Sequence, residues 1–390
     1  MKRRSKGFTL WCIGWMMIFC LQSTIAAPKW GGRIQLDSDY YDAYFREAGS
    51  DQPDNRDVRY WQAELRALKI GIKVRVHEAW TFKTKLALSA HDAASGLDAE
   101  VEIDDLYFRY EAGSDMEWTL GKGKEPFGLE NQISSADLWA IERSMATSAF
   151  SPGRNLGISL AQVGEIQAYD WIGQLGLYQN SVEDSLQDET TLALTGRMAA
   201  SRFWKKPYQG LHVGASFSIR DWGEGQYELE SRAGVHTADK ILDTRKITSD
   251  RVDLYSLEAA WVFNRFTVLG EWFTQQVQAQ LETENVDYNG YYLQAGYFLT
   301  PASRKYKNGE FDQVTPEGDH AWEVVVRVDQ LDGRNDQRGK VLNNGLLGVN
   351  YYWGKEYKFM LDAIRSRSTW LSSDRKDQGT AVSFRVQMQF

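Results

Sequence analysis

Two runs of basic residues stand out for their spacing. Lys69, Lys73 and Arg75 fall on alternate positions, and Lys83 and Lys85 do so a few residues later. Period-two spacing places such residues on one face of a β-strand. Leu68, Ile70, Ile72, Val74 and Val76 occupy the other face of the first run, and Phe82, Thr84, Leu86 and Leu88 that of the second. Cations aligned on adjacent strands offer an anion successive weak partners, which suits conduction better than one tight site. A second set, Lys122, Lys124, Arg143 and Arg154, lies in a segment read as a long third loop. Arginine can hold two phosphate oxygens through its fork, and lysine acts as a point charge. Alternatively, these four pair with Glu125, Glu130, Asp137 and Glu142 and merely fix the loop.

Enzyme chemistry finds little support. Gly121-Lys122-Gly123-Lys124 lacks the spacing of a phosphate-binding loop and opens no βαβ unit. The five histidines, His77, His91, His212, His236 and His320, are scattered and form no metal pattern. No Gly-x-Ser-x-Gly elbow is present. No catalytic residue, cofactor, metal or nucleic-acid partner is expected.

The elements that would position these residues begin after a leader. Lys2, Arg3, Arg4 and Lys6 precede an apolar stretch from Phe8 to Leu21, followed by the small residues Thr24, Ala26 and Ala27. This order reads as a secretory signal peptide, residues 1–26, cut after Ala26. The apolar run is short for a membrane anchor, and bulky Phe19 before Cys20 argues against lipid attachment. Both cysteines, Cys12 and Cys20, lie in the leader, so residues 27–390 carry no thiol. Removing the four basic leader residues from 45 leaves 41 against 53 acids, a net charge of −12.

The rest of the chain alternates apolar and polar residues in segments of about ten, bounded by turns, as transmembrane β-barrels do. The last ten residues are typical: Val382, Phe384, Val386, Met388 and Phe390 alternate with Ser383, Arg385, Gln387 and Gln389. About sixteen such segments are readable: 31–46, 57–76, 79–92, 101–111, 116–124, 156–164, 167–179, 190–203, 209–220, 251–263, 265–278, 288–300, 320–332, 341–353, 356–368 and 379–390. The expected fold is therefore all-β, one transmembrane antiparallel barrel spanning residues 27–390. Charges on a lipid-facing surface cost about 2–4 kcal/mol near mid-membrane, so the five strand cations are expected in the lumen. The connections alternate short and long, except that 301–319 is long where parity demands a short periplasmic turn. Acids gather in predicted loops: Asp92, Asp98, Glu100 and Glu102; Glu183, Asp184, Asp188 and Glu189; Glu282, Glu284 and Asp287; Glu310, Asp312, Glu317 and Asp319. At an outer mouth they would repel anions within a Debye length of about 10 Å, or bridge to lipopolysaccharide through divalent cations.

The segment from Trp118 to Gly157 resembles the phosphate-selective porin O/P family. The matching residues are Gly121, Lys124, Pro126, Phe127, Gly128 and Glu130; Ser134 and Ser135; Glu142, Arg143 and Ser144; Pro152, Arg154 and Gly157. Further matches are Gly32-Arg33-Ile34-Gln35, Ile103-Asp104-Asp105, Tyr297-Phe298-Leu299-Thr300 and Trp322-Glu323. Pro301-Ala302 departs from the Gly-Glu common in the family. The resemblance implies a sixteen-stranded barrel, usually a homotrimer, in the outer membrane. It also implies a third loop folded into the pore and inward folding of 221–250 and 301–319. The function implied is passive passage of small inorganic anions, phosphate or polyphosphate. Two alternatives stay open: a weakly selective or cation-preferring diffusion pore, suggested by the acidic balance, and a non-conducting structural barrel.

Overall fold

The computed structural model describes residues 26–46, 58–93, 96–179, 192–205, 208–244, 246–335, 339–371 and 376–390. Sixteen strands close into one antiparallel barrel. They are β1 (Lys29–Asp42), β2 (Arg59–Arg75), β3 (Trp80–Ala93), β4 (Gly96–Ala112), β5 (Met116–Lys124), β6 (Arg154–Ile166), β7 (Tyr169–Gln179), β8 (Leu192–Lys205), β9 (Gln209–Tyr227), β12 (Ile247–Phe263), β13 (Phe266–Ala279), β14 (Val286–Phe298), β17 (His320–Asp332), β18 (Lys340–Trp353), β19 (Tyr357–Trp370) and β20 (Lys376–Gln389). Two small hairpins stand apart from the wall, β10 (Glu230–Ser231) with β11 (Leu242–Asp243), and β15 (Ala302–Lys307) with β16 (Glu310–Pro316). Two short helices, α1 (Leu129–Gln132) and α2 (Met145–Phe150), lie between β5 and β6.

Alternation explains why these segments form a wall rather than a core. Along β19, Tyr357, Leu361 and Ala363 are exposed, while Lys358, Met360, Asp362 and Ile364 are buried. Hydrocarbon covers the first set and the interior the second. The barrel closes where β1 pairs with β20, from Arg33 opposite Gln389 to Tyr41 opposite Ala381. Terminal Phe390 extends the seam, donating from its amide to Gly32 O at 3.0 Å. Closure leaves no unpaired edge for lipid to solvate. Exposed Trp80, Tyr110, Trp118, Tyr169, Trp261, Tyr297, Trp322 and Trp353 ring the short-turn end, forming the aromatic girdle that marks the membrane interface.

All sixteen expected segments are barrel strands, with revised ends. The stretch 93–100, expected as a long loop, is mostly strand, because β3 reaches Ala93 and β4 starts at Gly96. Glu100 and Glu102 therefore belong to β4, and the side chains of Asp92 and Asp98 lie outside the described residues. So do Glu183, Asp184, Asp188 and Glu189. The loop expected at 221–250 is shorter, since β9 runs to Tyr227 and β12 starts at Ile247. The parity anomaly at 301–319 resolves without adding or removing a wall strand: the segment forms the β15–β16 hairpin.

Candidate functional site

The wall formed by β2, β3, β4 and β6 carries a charged cluster built around two neighbouring acids. Lys85 pairs in register with Asp105, but Leu86 pairs with Ile103, so Asp104 is the extra residue of a bulge. A bulge breaks period two locally, and both Asp104 and Asp105 are thereby buried. Four cations converge on them. Lys69 Nζ lies 2.9 Å from Asp104, and Lys83 Nζ 2.8 Å from Asp105. Lys85 Nζ is 3.3 Å from Asp105 and 3.7 Å from Asp104. Arg154 Nε is 3.1 Å from Asp105 and 3.4 Å from Asp104. Four positive charges against two negative leave this patch of wall cationic, with each cation shared rather than neutralised one to one.

The remaining sequence-singled residues take different places. Arg75 pairs with Glu111 at 2.8 Å near the short-turn end, both well exposed. Lys73 is exposed and lies opposite Lys83 in register. Of the four cations assigned to the third loop, Lys122 and Lys124 lie in β5, whose expected span 116–124 already held them, and Arg154 opens β6, so only Arg143 lies between the two strands. Lys122 is nearly covered, 3.8 Å from Glu102. Lys124 Nζ donates to the carbonyls of Gln132 and Ile133 at 3.1 and 3.3 Å, at the C-terminal end of α1. Arg143 donates to Glu130 O at 3.3 Å and Ile133 O at 2.7 Å. Both hold the segment between β5 and β6 in shape. Of the acids expected to pair there, Glu125 instead accepts from Asn155 at 2.6 Å and Arg220 at 3.0 Å.

That segment, 125–153, is tied to side chains on several strands. Gly128, at φ +68, opens α1, and a Cβ there would come within 2.9 Å of Glu271 Oε1. The amides of Leu129 and Glu130 donate to the Glu271 carboxylate of β13 at 2.5 and 2.8 Å. The Ile141 amide donates to Asp362 of β19 at 2.7 Å. Arg385 of β20 holds Asp37 at 2.6 Å and Glu142 at 2.8 Å, and donates to Ile141 O at 2.6 Å. Burial alone would raise the Glu142 carboxyl, but Arg66 and Arg385 hold it well below the usual carboxylate range. Phe127, Trp139 and Phe150 of this segment pack into one apolar cluster with Phe273, Tyr288 and Val325 of the wall.

Two other connections bond to the same interior. Between β9 and β12, Thr237 donates to Asp39 at 2.7 Å and His236 Nδ1 to Glu64 at 2.8 Å. In the β15–β16 hairpin, Gly309 O accepts from Arg197 of β8 at 2.6 Å, and the Tyr306 hydroxyl meets His212 Nδ1 of β9 at 2.5 Å. Phe311 packs edge-on against Trp139, 5.8 Å between ring centres. A cavity of about 640 Å³ remains between the wall, segment 125–153 and this hairpin. Its charged lining is Lys83, Lys85, Arg109, Lys124, Arg154 and Arg197 against Asp105, Glu111, Asp115, Glu117, Glu310 and Asp312. A second cavity of about 460 Å³ shares Asp115, Val163, Ile172 and Asn308 with it and adjoins it toward the short-turn end. Glu310 and Asp312, expected among loop acids of an outer mouth, thus line the interior instead. Burial pushes the Glu310 carboxyl up, against the pull of nearby Lys124.

The sequence profile described as "Phosphate-selective porin O and P" matches residues 29–390. The chain belongs to this family. Porin O of Pseudomonas aeruginosa is 24% identical over 409 aligned residues, covering 93% of this chain and 88% of that protein. Among solved structures, the outer-membrane channel DcaP of Acinetobacter baumannii superposes with a TM-score of 0.58 at 9% identity, covering 93% of this chain and 97% of that one. An anion-selective porin from Comamonas acidovorans gives 0.54 at 13% identity, covering 93% and 99%. These likenesses agree with the barrel topology. This porin is an outer-membrane channel whose sixteen-stranded wall surrounds the charged cavity.

Asp104, Asp105, Glu271 and Arg385 were not assigned roles from the sequence. The doublet Asp104-Asp105 beside the lysine runs was the available signal. Nothing local in the sequence pairs Glu271 or Arg385 with residues more than a hundred positions away.

Proposed function

We propose that this porin passes small anions, phosphate and polyphosphate among them, and that the β2–β3–β6 cations are its selectivity element. The observation that carries the reading is the sharing of Asp104 and Asp105 by Lys69, Lys83, Lys85 and Arg154. Two carboxylates position four cations and leave a surplus of two positive charges. A passing oxyanion exchanges with carboxylate oxygens already present, so each contact is replaceable and none becomes a trap. Arg154 supplies a planar fork for two oxygens, and the lysines supply point charges. Segment 125–153 and the β15–β16 hairpin narrow the path. The leader is cleaved on export, and the barrel assembles as a homotrimer. The family that this chain belongs to is named for phosphate selectivity, and Porin O is a relative at 24% identity, in keeping with this substrate.

A second reading is a weakly selective or cation-preferring pore. It rests on the charge balance of the main cavity, where six basic side chains face six acidic ones. The two readings separate in the double variant Lys83→Gln/Lys85→Gln. At about 6 Å, one unit charge contributes roughly 0.7–2.8 kcal/mol for an effective dielectric between 80 and 20. Removing two should lower the anion-to-cation permeability ratio about tenfold or more in planar bilayers. A ratio unchanged by the double variant would rule out these lysines as the selectivity element.

A further inference from the structure

The outward row of β19 changes character partway up. Tyr357, Phe359, Leu361 and Ala363 are followed by Arg365 and Arg367, both exposed on that same outer face. In register, Arg365 lies between Gly345 and Thr380, and Arg367 between Asn343 and Gln378. Arg365 donates to Gln378 Oε1 at 3.2 Å. Among the described residues no carboxylate pairs with either arginine. At similar height on β14 and β17, Leu293, Val326 and Val328 are exposed and apolar, so the charge is absent from those two strands at this level.

Height decides what these arginines meet. β19 rises from the short turn at 354–356 toward the long-loop end, which is the extracellular side of a barrel with both termini at the other. With about 3.4 Å per residue and a tilt near 40°, Arg365 stands roughly 21 Å and Arg367 roughly 26 Å above Tyr357, which lies opposite Trp353 of the girdle. The apolar band is about 25 Å tall, so both guanidiniums sit at its upper border. Arginine cannot shed its proton there, and two guanidiniums with no carboxylate partner among the described residues call for an anion at a hydrocarbon border. In the outer leaflet, the anions at that level are the phosphates of lipopolysaccharide.

We propose that Arg365 and Arg367 form a binding site for the phosphates of lipid A, with Gln378, Thr380 and Asn343 as flanking hydrogen-bonding groups. Leu361 and Ala363 lie below, where acyl chains would run. Charge complementarity favours this occupant over a second copy of the chain, which would have to bring carboxylates to a mostly apolar outer face. The test uses the purified full barrel in detergent, with native mass spectrometry against bisphosphorylated lipid A and its dephosphorylated counterpart. The wild-type protein should retain the phosphorylated lipid about tenfold more strongly. Arg365→Gln/Arg367→Gln should erase that difference, and Arg365→Lys/Arg367→Lys should keep part of it. Equal retention of both lipids by the wild-type protein overturns the proposal, and this arm needs no variant to fold. Full retention by the glutamine variant overturns it too. A glutamine variant that loses its oligomeric state without lipid present identifies a subunit contact instead.

Discussion

The balance of the wall cluster turns on Asp104 and Asp105, which neutralise half of the charge that Lys69, Lys83, Lys85 and Arg154 bring. Asp105→Asn should therefore raise the local surplus from two charges to three. The expected result is a higher anion-to-cation permeability ratio and longer phosphate dwell times in single-channel recordings; a lower ratio would mean that the carboxylate itself orders the cations usefully. Glu310 faces the same cavity, and burial raises its carboxyl. A raised group takes up its proton at a higher pH than an ordinary glutamate, whose value is about 4.3. Anion preference should thus climb on acidification before ordinary carboxylates titrate, and Glu310→Gln should remove that step while raising preference at neutral pH. The lysine runs were legible in the sequence because strand alternation exposes them. The convergence of their side chains was not, because it depends on the bulge at Asp104, and period-two reasoning carries no bulge.

At the scale of elements, the wall was readable almost strand by strand, since each segment must keep one face for lipid. The inner segments were less so. Their residues answer to partners on distant strands, as Leu129 and Glu130 do to Glu271 and Ile141 to Asp362. The 301–319 connection was visible only as a break in parity. Its hairpin is bonded to the wall through Gly309 and Tyr306 and lines both cavities. Replacing residues 302–316 by a short turn should raise single-channel conductance severalfold with the barrel intact, checked by its far-ultraviolet β signal. Conductance equal to the full-length channel would show that the narrowest point lies elsewhere. Lys124 and Arg143, candidates for anion contact by residue type, spend their donors on backbone carbonyls of the 125–153 segment. Residue type alone could not distinguish that use from a ligand site.

For the whole molecule, an even strand count and a seam between β1 and β20 follow from the need to satisfy every backbone group in hydrocarbon. That requirement is why the architecture was the most legible feature of the chain. Net charge was a poor guide to the interior: the −12 of residues 27–390 coexists with a wall patch that carries a positive surplus. Selectivity is set by the charges an ion passes, not by their sum over the protein. The most direct measurement is the reversal potential of the wild-type channel in a planar bilayer under a potassium chloride gradient, followed by addition of phosphate. Anion preference, with chloride current blocked by phosphate, is the predicted result. Cation preference, with no effect of phosphate, would contradict the account and assign the path to the acidic residues of the cavity.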